Sequence, residues 1–143
     1  MEPTIASALD SHFSIWPDAS GEPVGEAEIA AAEASLGMSF PAEYREFVAR
    51  YGGGVVRDTD IVGLRAAPFM GEGSPGVVEE TLRWRRQMPQ LADWLVIAVD
   101  GGGNPIGFSP RGPAVLVFDH DFGGLIELAP SFNVFVRELL ARM

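Results

Sequence analysis

Two apolar runs in the second half of the chain restrict the fold more than any other feature. Asp93-Trp94-Leu95-Val96-Ile97-Ala98-Val99-Asp100 is followed by Gly101-Gly102-Gly103-Asn104-Pro105 and then by Ile106-Gly107-Phe108. Ala114-Val115-Leu116-Val117-Phe118 comes next and ends in Asp119-His120-Asp121. Short apolar runs closed off by Gly, Pro and Asn read as buried strands. The segment therefore predicts an antiparallel meander at the centre of the fold, with most of its polar groups on the loops.

Helical patterns precede the meander. Residues 4–16 place Ile5, Leu9, His12, Phe13 and Trp16 on one helical face, and a loop rich in Pro, Gly and acid follows from Pro17 to Gly25. Glu26 to Leu36 is amphipathic, with Ile29, Ala32 and Leu36 inward and Gly37 suited to the left-handed C-terminal position. Phe40-Pro41 opens another helix, since proline is tolerated in a first turn where its missing N–H has no partner. Tyr44, Phe47, Val48 and Tyr51 form its stripe, and Gly52-Gly53-Gly54 ends it.

Val55 to Leu64 reads as a strand interrupted by Arg57-Asp58-Thr59-Asp60, and Ala66 to Gly76 as an irregular loop. A helix is expected from Val77 to Met88 with Leu82 and Val78 inward. Its Arg83, Arg85 and Arg86 form the one basic cluster, expected to be solvated and paired with Glu79 and Glu80. Leu125 to Leu128 makes a last strand. Ser131 is placed to cap a closing helix whose Phe132, Phe135, Val136, Leu139, Leu140 and Met143 fall at core spacing. The expected class is α+β: helices first, a largely antiparallel sheet, then a helix packed on it. At 143 residues, 47% of them hydrophobic, one domain is expected, with residues 1–25 as an N-terminal extension.

Charge narrows the function. Ten Arg, no Lys and twenty Asp and Glu leave a formal charge of −10. Such a surface repels phosphate backbones and anionic membranes, so direct nucleic-acid binding is not expected; the charge either attracts basic partners or merely confers solubility. With no cysteine, disulfides, thiolate metal sites and cysteine nucleophiles are excluded. The N-terminus lacks the basic region of a signal peptide, and no apolar run approaches the about 20 residues that span a bilayer. A cytoplasmic protein is the expectation.

Motifs for chemistry are sparse. The glycine loop at 101–107 is superficially similar to a dinucleotide fingerprint, but the spacing is wrong and Pro105 leads into a strand where that motif needs a helix. A tight turn is the better reading. Asp119-His120-Asp121, with Asp100 approaching across the meander, is the strongest candidate for a metal or acid–base cluster. The alternative is a strand-end turn in which Asp119 caps backbone N–H groups. No calcium-loop series and no Gly-x-Ser-x-Gly elbow is present. No cofactor is implied.

The order of motifs nevertheless has a counterpart. Ile29, Glu33 and Leu36-Gly37, then Phe40-Pro41 with Tyr44 and Phe47, then Gly52-Gly53, resemble the N-terminal signature of the SUKH superfamily, the Smi/Knr-type domains. Trp94 to Ala98, Asp100 to Asn104 and Asp119-His120 resemble its central block, and Ser131-Phe132 with Phe135 its closing helix. The likeness runs from about Ile29 to Leu140. Ser109 departs from it where an acidic residue is common, and residues 66–76 have no counterpart. The resemblance implies an α+β domain without a catalytic role. Many bacterial members are immunity proteins that neutralise a cognate toxin, often a nuclease, and others are regulatory or scaffolding domains.

Charge and resemblance together predict a non-enzymatic binding protein whose partner is a basic toxin. Contacts are expected from Asp100, Asn104, Asp119 and Asp121, with Asp58, Asp60 and Glu72 on the variable loops. The other readings are a scaffold for an endogenous protein, and a small metal-assisted hydrolase using Asp100, Asp119, His120 and Asp121.

Overall fold

The meander forms as the apolar runs require. Strands β3 (Leu95–Val99), β4 (Pro105–Phe108), β5 (Val115–Asp119) and β6 (Gly124–Ala129) lie side by side in that order, each antiparallel to the next. Ahead of them come helices α1 (Pro3–Ile15), α2 (Glu26–Leu36) and α3 (Ala42–Tyr51), a hairpin of β1 (Gly54–Val56) and β2 (Thr59–Ile61), and α4 (Val77–Gln87). Helix α5 (Phe132–Ala141) closes the chain. The structure, a computed structural model, describes residues 1–119, 121 and 123–142, so His120 and Met143 of the sequence reading lie outside the described residues.

Alternation along the strands builds two apolar layers, because successive side chains leave a strand on opposite faces. Leu95, Ile97, Ile106, Phe108, Val115 and Val117 join the helices in the main core. Val96, Leu116 and Phe118 point the other way and pack with Trp84, Leu91 and Trp94. Between Val96 and Ala98 the β3–β4 register shifts by a bulge.

Helix ends follow the local chemistry. Gly37 takes a left-handed φ of 67°, and Met38 N–H reaches back to Glu33 O at 3.2 Å. The Ser131 hydroxyl accepts from Val134 N–H at 3.2 Å and starts α5, whose Phe132, Phe135, Val136 and Leu139 are buried. Tyr44, Phe47, Val48 and Tyr51 are likewise the buried face of α3. Burial pushes the Tyr44 phenol well above its ordinary pKa, and its hydroxyl donates to Val62 O at 2.6 Å. Ile5, Leu9 and Phe13 of α1 belong to the main core, so the N-terminal extension packs as part of it.

Several local expectations need correcting. Trp16 does not share the α1 face; it lies beyond the helix end and is 53% exposed, since the residue before Pro17 is steered out of helical geometry. Pro41 is the N-cap of α3 with an extended ψ of 140°, so the helix proper starts at Ala42. Val55 to Leu64 is a hairpin rather than one interrupted strand, and Arg57 turns it with a left-handed φ of 58°. Helix α4 buries Val77, Glu80, Thr81 and Trp84, not Leu82 and Val78, which are only partly covered. Arg85 is no solvated cation. Its guanidinium donates to Trp94 O at 3.0 Å and Leu36 O at 2.9 Å, and burial lowers its pKa.

Thr81 explains the rotation of α4. The buried hydroxyl accepts from Val96 N–H at 3.0 Å and faces Val96 O at 3.3 Å, closing backbone groups on the β3 edge. Thr81→Val keeps the shape but leaves Val96 unpaired in an apolar setting. We expect a loss of about 1–3 kcal/mol in denaturant unfolding, whereas Thr81→Ser is expected to lose less.

Candidate functional site

Two turns and a strand end form an acidic groove. In the β1–β2 hairpin, Arg57 donates to Leu140 O from Nε at 3.3 Å and from Nη2 at 3.0 Å, fixing the turn against the end of α5. Asp58 follows, 3.7 Å from Arg142, and Asp60 sits on β2. Just past β2, Val62 N–H donates to Ile97 O at 2.8 Å, which brings the hairpin alongside β3. Asp58 and Asp60 thereby meet the Val99-Asp100 end of that strand.

The β3–β4 loop is held from within. Asp100 Oδ1 accepts from Gly102 N–H at 2.9 Å and Asn104 N–H at 2.8 Å, while Asn104 Nδ2 donates to Asp100 Oδ2 at 3.2 Å. Backbone bonds from Asp100 N–H to Asn104 O at 2.9 Å and from Gly103 N–H to Asp100 O at 3.0 Å close the turn. The glycine run is thus the tight turn expected of it. Asn104 is only 8% exposed, and its Nδ2 ties it to the loop.

Asp58, Asp60, Glu80 and Asp100 line the groove, about 380 Å³ in volume, with Val62, Ala98, Val99 and Gly101 between them. None of these residues is basic. Glu80 is buried and already engaged by the Arg83 guanidinium and by Trp84 Nε1–H at 3.1 Å. Asp58 lies 3.7 Å from Arg142 and the Asp100 carboxylate accepts the bonds of its own loop, so the acids of the groove differ in how they are held. Asp60 is exposed, but partial desolvation at the groove wall raises its pKa above the ordinary carboxylate value.

A raised native pKa has a defined sign in stability. The Asp60 carboxyl holds its proton more tightly folded than unfolded. Its contribution is therefore full below the unfolded pKa and lost as pH rises through the folded one. Asp60→Asn is expected to raise the unfolding midpoint near neutral pH, with the gain vanishing in acid below the carboxylate range. Melting curves across that range check it, and a gain that persists in acid contradicts it.

Asp119 and Asp121 lie on the β5–β6 turn, at the end of the sheet that also carries the Asp100 loop, but outside the groove. Asp119 Oδ1 accepts from Asp121 N–H at 3.0 Å and Asp119 O from Gly123 N–H at 2.7 Å, the capping role read as the alternative to chemistry. His120 lies outside the described residues. Glu72 is exposed on the loop before α4 and does not border the groove. Among the described residues, no three His, Asp or Glu side chains are grouped to hold a metal ion. No described helix is long and apolar enough to cross a membrane.

Glu80, Val62 and Val99 were not among the expected site residues. The only hint of them was the junction where an apolar strand runs into Asp100; their convergence depends on how the hairpin docks.

The pattern that resembled Smi/Knr-type domains is matched directly by a family model. The model of the SMI1 / KNR4 family (SUKH-1) covers residues 23–138. No curated protein matches the chain significantly. With most of its length inside that match and the α+β arrangement in place, the chain belongs to the SMI1 / KNR4 family, SUKH-1.

Proposed function

We propose that this chain is a non-enzymatic protein-binding domain, an immunity protein that captures a basic toxin in the cytoplasm. The observation that carries the reading is the groove in which Asp58, Asp60 and Asp100 surround apolar Val62, Ala98 and Val99 with no basic residue in its lining. A lysine or arginine entering it lays its stem on the valines and its charge among the acids. The formal charge of −10 steers such a partner from a distance. Family membership supports the reading, because this family is known for toxin immunity and is generally non-catalytic.

Asp119 and Asp121 extend the acidic end beyond the groove, Asn104 holds the Asp100 loop in place, and Glu72 supplies a peripheral charge. The test is the product of an adjacent toxin-like gene, measured by calorimetry against wild type and the Asp58→Arg, Asp60→Arg double variant. Both positions are exposed, so folding is expected to survive. Reversal is expected to weaken binding by about a hundredfold and to flatten its salt dependence. Affinity unchanged by reversal, at any salt concentration, overturns the proposal.

A further inference from the structure

The two edges of the four-stranded sheet are treated differently. At the β3 edge, Thr81 Oγ1 closes the Val96 backbone groups and Val62 N–H occupies Ile97 O. At the opposite edge, β6 pairs with β5 alone. Among the described residues, no backbone bond leaves residues 125–128 on the side away from β5. A bare row of N–H and C=O groups is a template for another strand, and folded proteins ordinarily blunt it.

The side chains on β6 are arranged for such a strand. Leu125 and Ile126 are 52% and 51% exposed. Leu125 pairs across from Phe118 on the outer face, and Ile126 across from Val117 on the inner one. Beside the outer face lies a cavity of about 610 Å³ whose walls include Asp93, Trp94, Leu116, Leu125 and Glu127, with Arg111 on the β4–β5 loop. Glu127 has no ion-pair partner among the described residues.

We propose that β6 is a strand-addition site for an extended segment of another protein in which apolar and cationic side chains alternate. Backbone pairing supplies the attachment, and alternate side chains read the two faces. Apolar residues of the incoming strand lie beside Ile126 and Leu128. Its cations turn to the outer face, where their stems cover Leu125 and their charges meet Glu127. A second copy of this chain is the wrong occupant, because each copy brings a formal charge of −10 to the seam. The site is separate from the acidic groove and does not depend on it.

A capped octapeptide of alternating arginine and valine, titrated to millimolar concentration into isotope-labelled full-length protein, tests the proposal by NMR. The expected result is shift changes and slowed amide exchange at residues 125–128. N-methylation of the alternate peptide amides is expected to abolish the response, and Glu127→Arg to weaken binding about five- to tenfold while the melting temperature holds. The Asp58→Arg, Asp60→Arg protein keeps the response, so failure here and failure of the groove are told apart. Shifts confined to Asp58, Asp60 and Asp100, equal binding of the N-methylated peptide, or a peptide-free dimer with residues 125–128 already protected would each overturn it.

Discussion

Gly107→Ala is expected to leave little folded protein, at a cost above the about 1–3 kcal/mol of ordinary overpacking, because the clash cannot relax. A Cβ at residue 107 would sit 1.9 Å from Leu95 O, 2.9 Å from Leu95 C and 3.0 Å from Val96 Cα. These are backbone atoms of a strand buried under α4, so no rotamer change relieves the overlap. Gly107 also lies between two partners, opposite Val96 on β3 and Leu116 on β5, so β4 has no free side toward which to move. The bulge between Val96 and Ala98 lies directly across from it, and that bulge sets the register in which Val99 meets Pro105 and the Asp100 loop begins. Urea unfolding followed by circular dichroism checks the cost. A variant with the wild-type midpoint would show that β3 and β4 do not approach as closely as described.

Much of the scaffold was legible because burial in strands and in α5 follows simple periods. Val115, Val117 and Leu116, Phe118 separate cleanly into two faces, and Phe132, Phe135, Val136 and Leu139 form one stripe. Helix α4 is ambiguous in sequence because it offers two sets at helical spacing, Val78 with Leu82 and Val77 with Thr81 and Trp84. Apolarity favours the first. The need to close the Val96 backbone groups selects the second, and that need exists only once β3 lies against the helix. The hairpin at Arg57 leaves no local sign in the sequence, because an arginine carries the left-handed turn with no Gly or Asn to announce it. The acidic groove was half visible. Its acids stand out in the sequence, but their convergence rests on Val62 docking against Ile97, a contact between distant segments that no local pattern encodes.

Phe132→Ala should cost about 3–5 kcal/mol, the usual range for emptying a fully buried aromatic site. Phe132 is 1% exposed, and its ring lies 5.6 Å from Tyr44, 5.4 Å from Phe47 and 6.4 Å from both Phe108 and Phe135. It therefore fills the junction of α3, the sheet and α5. The start of α5 holds it there: Ser131 caps Val134 N–H, and Glu43 Oε1 of α3 accepts from Asn133 N–H at 2.9 Å. With the backbone pinned from both sides, the helix cannot slide in to close the space, so the loss is expected toward the upper end. The groove meets this junction only through backbone, where Tyr44 donates to Val62 O; the Asp58, Asp60 and Asp100 side chains are not among the groups packed on the Phe132 ring. Under conditions where the variant remains folded, affinity for a basic partner should therefore match wild type while the unfolding midpoint falls. The Asp58→Arg, Asp60→Arg protein should show the reverse pattern, with binding weakened about a hundredfold and the midpoint nearly kept. If Phe132→Ala weakens binding as much as the charge reversal does, the partner reads the packing of the domain rather than its acidic end.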